Sequence, residues 1–228
     1  MQACDVMTTG VITVSPDTPV HEIARLLVDK RISGVPVVDA EGHLLGIVSE
    51  GDLVRRLEEE DDGRRRSWWL DLLATPEERA QGYVRAHGRR ASDIMTREVV
   101  TVAPDTPVGT IARLLEERHI KRVPVVHQGK VVGIVSRADL LRALAARQPE
   151  TVSADDRVLR ERLIRELEKA GLDYHPFVNI VVTEGVVHLW GIVSSQSEAD
   201  ALRVAAENVE GVKAVESHLA IRPLATGL

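Results

Sequence analysis

Aromatic side chains supply only 3% of the 228 residues, three Trp, two Tyr and one Phe, so the cores must be built from Val, Leu, Ile and Ala. A single cysteine, Cys4, excludes an intramolecular disulfide and fits a reducing compartment. Met1–Gly10 holds no apolar run, and no stretch approaches the roughly 20 apolar residues of a membrane helix, so the expected location is the cytoplasm. HExxH, HxxxH, CxxC, the P-loop and GxGxxG are all missing, which argues against a dedicated metal site and against a nucleotide-hydrolysing centre. With no catalytic constellation, the expectation is a protein that is not an enzyme. Cys4 has no recognisable His–Asn partner and reads as a packing residue or an idle thiol. A net charge of −6 opposes a surface devoted to nucleic acid. Residues 151–228 carry 12 acidic against 8 basic side chains, a poor match to an anionic membrane.

What the chain does have is itself, twice. DVMTTGVITVSPDTPVHEIARLL at Asp5 returns as DIMTREVVTVAPDTPVGTIARLL at Asp93, an offset of 88 residues. GVPVV at Gly34 returns as RVPVV at Arg122, and GIVSEGDL at Gly46 returns as GIVSRADL at Gly133, where the offset is 87 because the turn near Glu41 shortens to His127-Gln128-Gly129. A tandem pair this close folds as two copies of one unit with a pseudo-twofold axis, so a site in one copy should have a partner in the other.

Each copy, over 1–57 and 92–148, reads as β-α-β-β-α. In the first, Val11–Val14 is a short β-rich run, and Thr18-Pro19 supplies a helix cap and a proline at the first helical position. Val20, Ile23, Ala24 and Leu27 share one helical face. Val35–Val38 and Leu44–Ser49 flank a hairpin turn at Asp39–Gly42, and Asp52–Leu57 reads as helix. The insertion, 58–91, opens with EEEDDGRRR, a solvated helix end or loop. Ser67 can cap a helix carrying Trp68, Leu72 and Leu73, and Thr75-Pro76 with Glu78 signals a second. Neighbouring tryptophans point about 100° apart on a helix, so Trp68 and Trp69 suggest an interface, for dimerisation or for packing on the repeats.

The pattern changes near Pro149. Residues 150–228 read as α-β-β-α-β, a small two-layer α+β unit. The helix is Asp155–Glu168; Val178, Ile180 and Val182 alternate into a turn at Glu184-Gly185, followed by Val187, Leu189 and Ile192. Ser195 and Glu198 form a capping-box signature, Gly211 is placed to stop the second helix, and Val212–Ile221 is the last strand. Trp190 and Phe177 read as core residues.

Residues 5–57 and 93–144 together resemble a tandem pair of CBS domains, the Bateman module. The carriers are DVMT and DIMT, the Thr-Val strand ahead of PDTP, the VPVV strand, and GIVSEGD and GIVSRAD. Residues 150–228 are similar to a BON domain through VNIVVTEGVVHLWGIVSS and AENVEGVKAVESHLAI. The first resemblance implies binding of AMP, ADP, ATP or S-adenosylmethionine in clefts between the repeats, with no cofactor required, and a homodimer. The second implies attachment to a phospholipid surface, though a protein partner or intramolecular docking suits an acidic domain better.

The same resemblance assigns ribose to Asp52 and Asp139, whose carboxylates can accept from two neighbouring hydroxyls. Ser49 and Ser136 are then phosphate donors at helix N-termini. Adenine would be edged by backbone near Thr13, Val14 and Val35, or near Thr101, Val102 and Val123. The second copy offers phosphate His119, Lys121, Arg122 and Arg137, where the first has Arg31, Ser33, Gly34 and Glu50. Arg122 and Arg137 can fork phosphate oxygens and Glu50 would repel them, so a polyphosphate is expected in the second site. Against this stands the plain alternative that Ser-x-x-Asp is only a helix cap and its first-turn acid. The functional expectation is a regulatory nucleotide sensor; the competing one is a dimerisation scaffold with empty sites.

Overall fold

The computed structural model describes residues 1–62, 75, 77, 83–84, 87–145, 154–172 and 178–222. The insertion's signals at Ser67–Leu73, Pro76 and Glu78, the break at Pro149, and Phe177 lie outside them.

In the first repeat the periodic apolar face becomes helix α2, Val20–Lys30, with Ile23 and Leu27 buried; a shorter helix α1, Ala3–Val6, precedes it. The α2 cap is Pro19 rather than Thr18. Thr18 Oγ1 instead accepts from the Ser15 amide at 3.1 Å, closing the Ser15–Thr18 turn. Strands β1, Gly34–Val38, and β2, Leu44–Ser49, pair antiparallel, with Val35 opposite Val48 and Gly34 opposite Ser49. Their turn is held by Asp39 Oδ1, which accepts from the amides of Glu41 and His43. Helix α3, Glu50–Asp62, starts earlier than the sequence suggests and runs into the acidic part of the insertion. The expected first strand, Val11–Val14, shrinks to one parallel bridge between Val14 and Val37. Pro16, two residues on, has no N–H to extend a ladder.

The second repeat matches element for element. A short helix α4, Ala91–Ile94, precedes α5, Val108–Glu117, β3, Arg122–His127, β4, Lys130–Ser136, and α6, Arg137–Ala145. Gln128 and Gly129 both have positive φ, 51° and 80°, the geometry of the tight two-residue hairpin. Hydrophobic periodicity does not signal α1 and α4. Each is closed by the aspartate of its DVMT or DIMT motif, as Gln2 N donates to Asp5 at 2.6 Å and Arg90 N to Asp93 at 3.0 Å.

The chain divides into two compact units that do not follow the repeats. One comprises Ile12–Val100 with Gln128–Val131; the other comprises Met1–Val11, Thr101–His127 and Val132–Leu228. In the first unit Thr96 pairs with Ile47 of β2, by hydrogen bonds of 2.9 and 3.0 Å. In the second, Thr8 pairs with Ile134 of β4, both bonds 3.0 Å. The opening segment of each repeat thus lies on the glycine-containing strand of the other. A Cβ at Gly46 would sit 2.6 Å from Met95 Sδ and 2.9 Å from the Thr96 carbonyl, and one at Gly133 would press on the Met7 side chain, so the crossing methionine packs closely over a glycine in each strand.

The C-terminal domain contains helix α7, Ala154–Lys169, strands β5, Val178–Thr183, and β6, Val186–Val193, helix α8, Gln196–Glu207, and strand β7, Ala214–Ile221. The sheet order is β5-β6-β7, antiparallel then parallel. Leu159, Leu163, Leu167, Ile180, Val187, Leu189 and Leu202 form its core. Ser195 caps α8 by accepting from Glu198 N, but Glu198 reaches back to Ser194, one residue beyond the expected box. Helix α8 ends at Asn208, ahead of Gly211, which turns the chain at φ +99° beneath Leu159. Trp190 is not a core residue: it alternates away from Val187 and Leu189 and stacks on His218 across the opposite face. No helix among the described residues is long and apolar enough to cross a membrane.

Candidate ligand-binding sites

Both Ser-x-x-Asp motifs adopt one local geometry. Ser49 ends β2 and Asp52 lies in the first turn of α3; Asp52 Oδ2 accepts from Ser49 N at 2.8 Å and from Ser49 Oγ at 2.7 Å. Asp139 Oδ2 accepts from Ser136 N at 2.8 Å and from Ser136 Oγ at 2.6 Å. Each serine thus satisfies its aspartate and fixes the entry of its helix.

The other carboxylate oxygen differs between the copies. Asp52 Oδ1 lies 4.0 Å from Arg55, and the side chain keeps 15% of its surface exposed. Asp139 Oδ1 accepts from Arg142 Nη1 at 2.9 Å and from Asn179 Nδ2 at 3.3 Å, and the residue is 3% exposed. An ionised carboxylate has about four lone-pair sites. In Asp139 four donors occupy them.

The remaining expected residues surround these motifs. Val35 is buried in β1 and Val14 bridges Val37, so strand β1 links the Thr13–Val14 segment to Ser49; Thr13 is exposed. Val123 is likewise buried in β3, Val102 bridges Val125, and Thr101 is exposed. Arg137 is exposed and its Nη2 donates to the Leu115 carbonyl at 3.4 Å. Arg122 is half-buried, while Lys121 and His119 are exposed, the latter just past α5 with φ 53°.

Three residues of the C-terminal domain bind the leading segment of the chain, one of them also reaching Asp139, and sequence reasoning missed them. Arg157 Nε donates to Asp5 Oδ1 at 2.7 Å and its Nη2 to Oδ2 at 3.2 Å, a bidentate pair. Arg160, 7% exposed, donates to the carbonyls of Cys4, Met7 and Ile180 at 2.8–2.9 Å. Asn179 Nδ2 donates to the Val6 carbonyl at 2.8 Å as well as to Asp139. Its Oδ1 is buried with no hydrogen-bond partner. The available signals were two arginines three apart beside the apolar face of α7, and an asparagine interrupting an apolar strand. Beside this contact, burial and then the Asp5 charge push the Cys4 thiol up, so it is not an activated nucleophile.

Comparison with known proteins agrees with this architecture. The chain is 36% identical over 143 residues to an uncharacterized protein of Methanocaldococcus jannaschii, covering 58% of this chain and 85% of that one. It is 33% identical to the chloroplastic CBS domain-containing protein CBSX1 of Arabidopsis thaliana, spanning 57% of that protein's length. The solved structure of CBSX2 in complex with AMP superposes with a TM-score of 0.54 at 32% identity, covering 63% of this chain and 96% of that one. The CBS domain family matches residues 3–59 and 91–146, and the BON domain family matches residues 155–223. The chain therefore belongs to the CBS-domain family, as a tandem CBS pair followed by a BON domain.

Proposed function

We propose that this is a non-enzymatic regulatory protein whose CBS pair takes an adenosine-containing ligand and whose BON domain reports on the second repeat by docking over it. The observation that carries this reading is the Asn179–Asp139 contact, 3.3 Å long, on the carboxylate expected to hold ribose. A ribose needs two acceptor directions on that carboxylate. Asp139 can supply them only if Asn179 withdraws and the partly exposed Arg142 side chain swings toward solvent, whereas Asp52 has Oδ1 available. The first repeat is then the site open to ligand with the BON domain docked, and the basic second repeat becomes available on undocking. The AMP complex of CBSX2 supports the ligand class.

Ligand and BON domain compete for one carboxylate, so each weakens the other by the same factor. The orphaned Asn179 Oδ1 favours release, since a buried unsatisfied acceptor costs about 1–3 kcal/mol. An intramolecular or protein-partner role suits the BON domain better than lipid, given its acidic balance. Self-association as a homodimer belongs to the same reading and is measurable by sedimentation equilibrium.

The test is calorimetric titration with AMP, ADP, ATP and S-adenosylmethionine of the wild type, Asp52→Ala and Asp139→Ala. One site, lost in Asp52→Ala and kept in Asp139→Ala, is the expected result. Silence across the panel with folded protein would overturn the sensor. It would favour a scaffold in which both Ser–Asp pairs act as helix caps alone, a role their hydrogen bonds already satisfy.

A further inference from the structure

We infer that His188, Glu216 and His218, on the face of the BON sheet away from its helices, form a binding site for a divalent transition-metal ion of the zinc class. Strands β6 and β7 run parallel with His188 opposite Glu216 and Trp190 opposite His218, so alternation places all four side chains on one face. The three donor atoms lie within 4.8 Å of one another. His188 Nδ1 is 3.2 Å, and His218 Nε2 3.7 Å, from the same oxygen, Glu216 Oε2. Ligands about 2.0–2.1 Å from a tetrahedral ion are separated by about 3.3–3.4 Å, so small side-chain movements complete the set.

The surroundings favour an ion over a simple ion pair. His188 is 7% exposed and its Nδ1 is buried with no hydrogen-bond partner, although a carboxylate lies beside it. Its other nitrogen, Nε2, is 3.2 Å from Thr183 Oγ1. A ring N–H donated there fixes the tautomer that leaves Nδ1 as the ligand, the support a metal-binding histidine usually has. Trp190 stacks on His218 with ring centroids 3.8 Å apart and holds that imidazole in place. Glu216 and His218 are 57% and 37% exposed, which gives the ion a route in and leaves a fourth position for water or an external ligand. Two imidazoles and one carboxylate match zinc. Motif spacing along the chain does not find the site because its donors come from two strands.

The test uses the full chain, freed of metal by chelator and titrated with zinc by calorimetry and with cobalt by visible absorption. The wild type should bind one ion at this site, with tetrahedral cobalt bands and ring-nitrogen NMR shifts at His188 and His218. Glu216→Gln and His218→Gln, both at exposed side chains, should each weaken binding at least tenfold while the metal-free variants stay folded and melt cooperatively. Three results would overturn the assignment: no binding by the wild type, unchanged binding by the Glu216→Gln/His218→Gln double variant, or loss confined to His43→Gln. The last would move the ion to the Asp39-Glu41-His43 turn, the other cluster with suitable donors among the described residues.

Discussion

Arg157 meets Asp5 with two nitrogens, at 2.7 and 3.2 Å, across 152 residues of chain. Asp5 is 2% exposed and closes its own short helix, so the guanidinium lies against a carboxylate that water barely reaches. The hydrogen bonds to Asp5 hold the Arg157 charge more firmly than usual. The counterpart aspartate, Asp93, accepts from the backbone amides of Arg89 and Arg90.

Arg157→Met should destabilise the protein by about 1–3 kcal/mol, because it leaves a buried carboxylate without its cation. The lower half of that range applies, since the Arg157 side chain is 38% exposed and partly screened. Arg157→Lys should recover less than half of the loss, as an ammonium cannot present two parallel N–H groups. Denaturant unfolding, with hydrogen exchange at the Thr8 amide as a local probe, measures both.

Asn179→Ala should raise the AMP stoichiometry from one to two per chain, since it leaves on Asp139 Oδ1 only Arg142, whose partly exposed side chain can turn to solvent. Asn179→Asp goes further, because it sets a second carboxylate against the first and drives the BON domain off. Calorimetry reads the stoichiometry, and small-angle scattering should report a larger radius of gyration for Asn179→Asp. An unchanged stoichiometry in both variants would show that Asn179 does not guard the second site.

Gly46→Ala and Gly133→Ala should differ although they are repeat equivalents. The new methyl at Gly46 meets the Thr96 carbonyl at 2.9 Å as well as the Met95 side chain, and the backbone cannot step aside. At Gly133 the close atoms all belong to the flexible Met7 side chain. Gly46→Ala should cost about 2–3 kcal/mol and Gly133→Ala about 1 kcal/mol. Met7→Ala combined with Gly133→Ala should cost less than the sum of the two single changes. Thermal and denaturant unfolding of the four variants would check this.

Burial holds His188 below the ordinary histidine pKa, His218 adds to the depression, and Glu216 opposes it. The unfolded chain therefore takes up this proton more readily than the folded one. Stability of the metal-free protein should fall as pH drops below about 6.5 and level off once the folded-state pKa is passed. His188→Asn should remove that part of the slope, as measured by melting temperature between about pH 8 and pH 5.

Much of this architecture is legible in the sequence where a local rule governs it. Ile23 and Leu27 mark a helix face by spacing, and Glu184-Gly185 marks a hairpin because φ must be positive at both residues. Local rules fail where tertiary partners decide. Thr18 has cap chemistry but is drawn into the Ser15 turn. Asp5 and Asp93 lie in equivalent motifs, DVMT and DIMT, yet only a distant residue gives Asp5 a guanidinium. Asp52 and Asp139 are likewise equivalent along the chain, and they differ because Arg142 closes on Asp139 where Arg55 stands off Asp52, and because Asn179, 40 residues beyond Asp139, donates to it. Parallel pairing of β6 with β7, which assembles His188, Glu216 and His218, involves residues separated by a whole helix.

The crossing of the leading segments also governs the order of assembly on the ribosome. Residues 1–11 are made well before Ile134, Asn179 and Arg157, which give Thr8, Val6 and Asp5 their places. At about 5–20 residues per second, Asp5 must wait about 8–30 s for its arginine. The other compact unit lacks only Gln128–Val131 once Val100 has emerged, so it can gather most of its strands and helices first. Residues 1–11 therefore gain their hydrogen-bond partners late, and deleting them would injure the unit that also contains Val132–Leu228 while sparing the one that begins at Ile12.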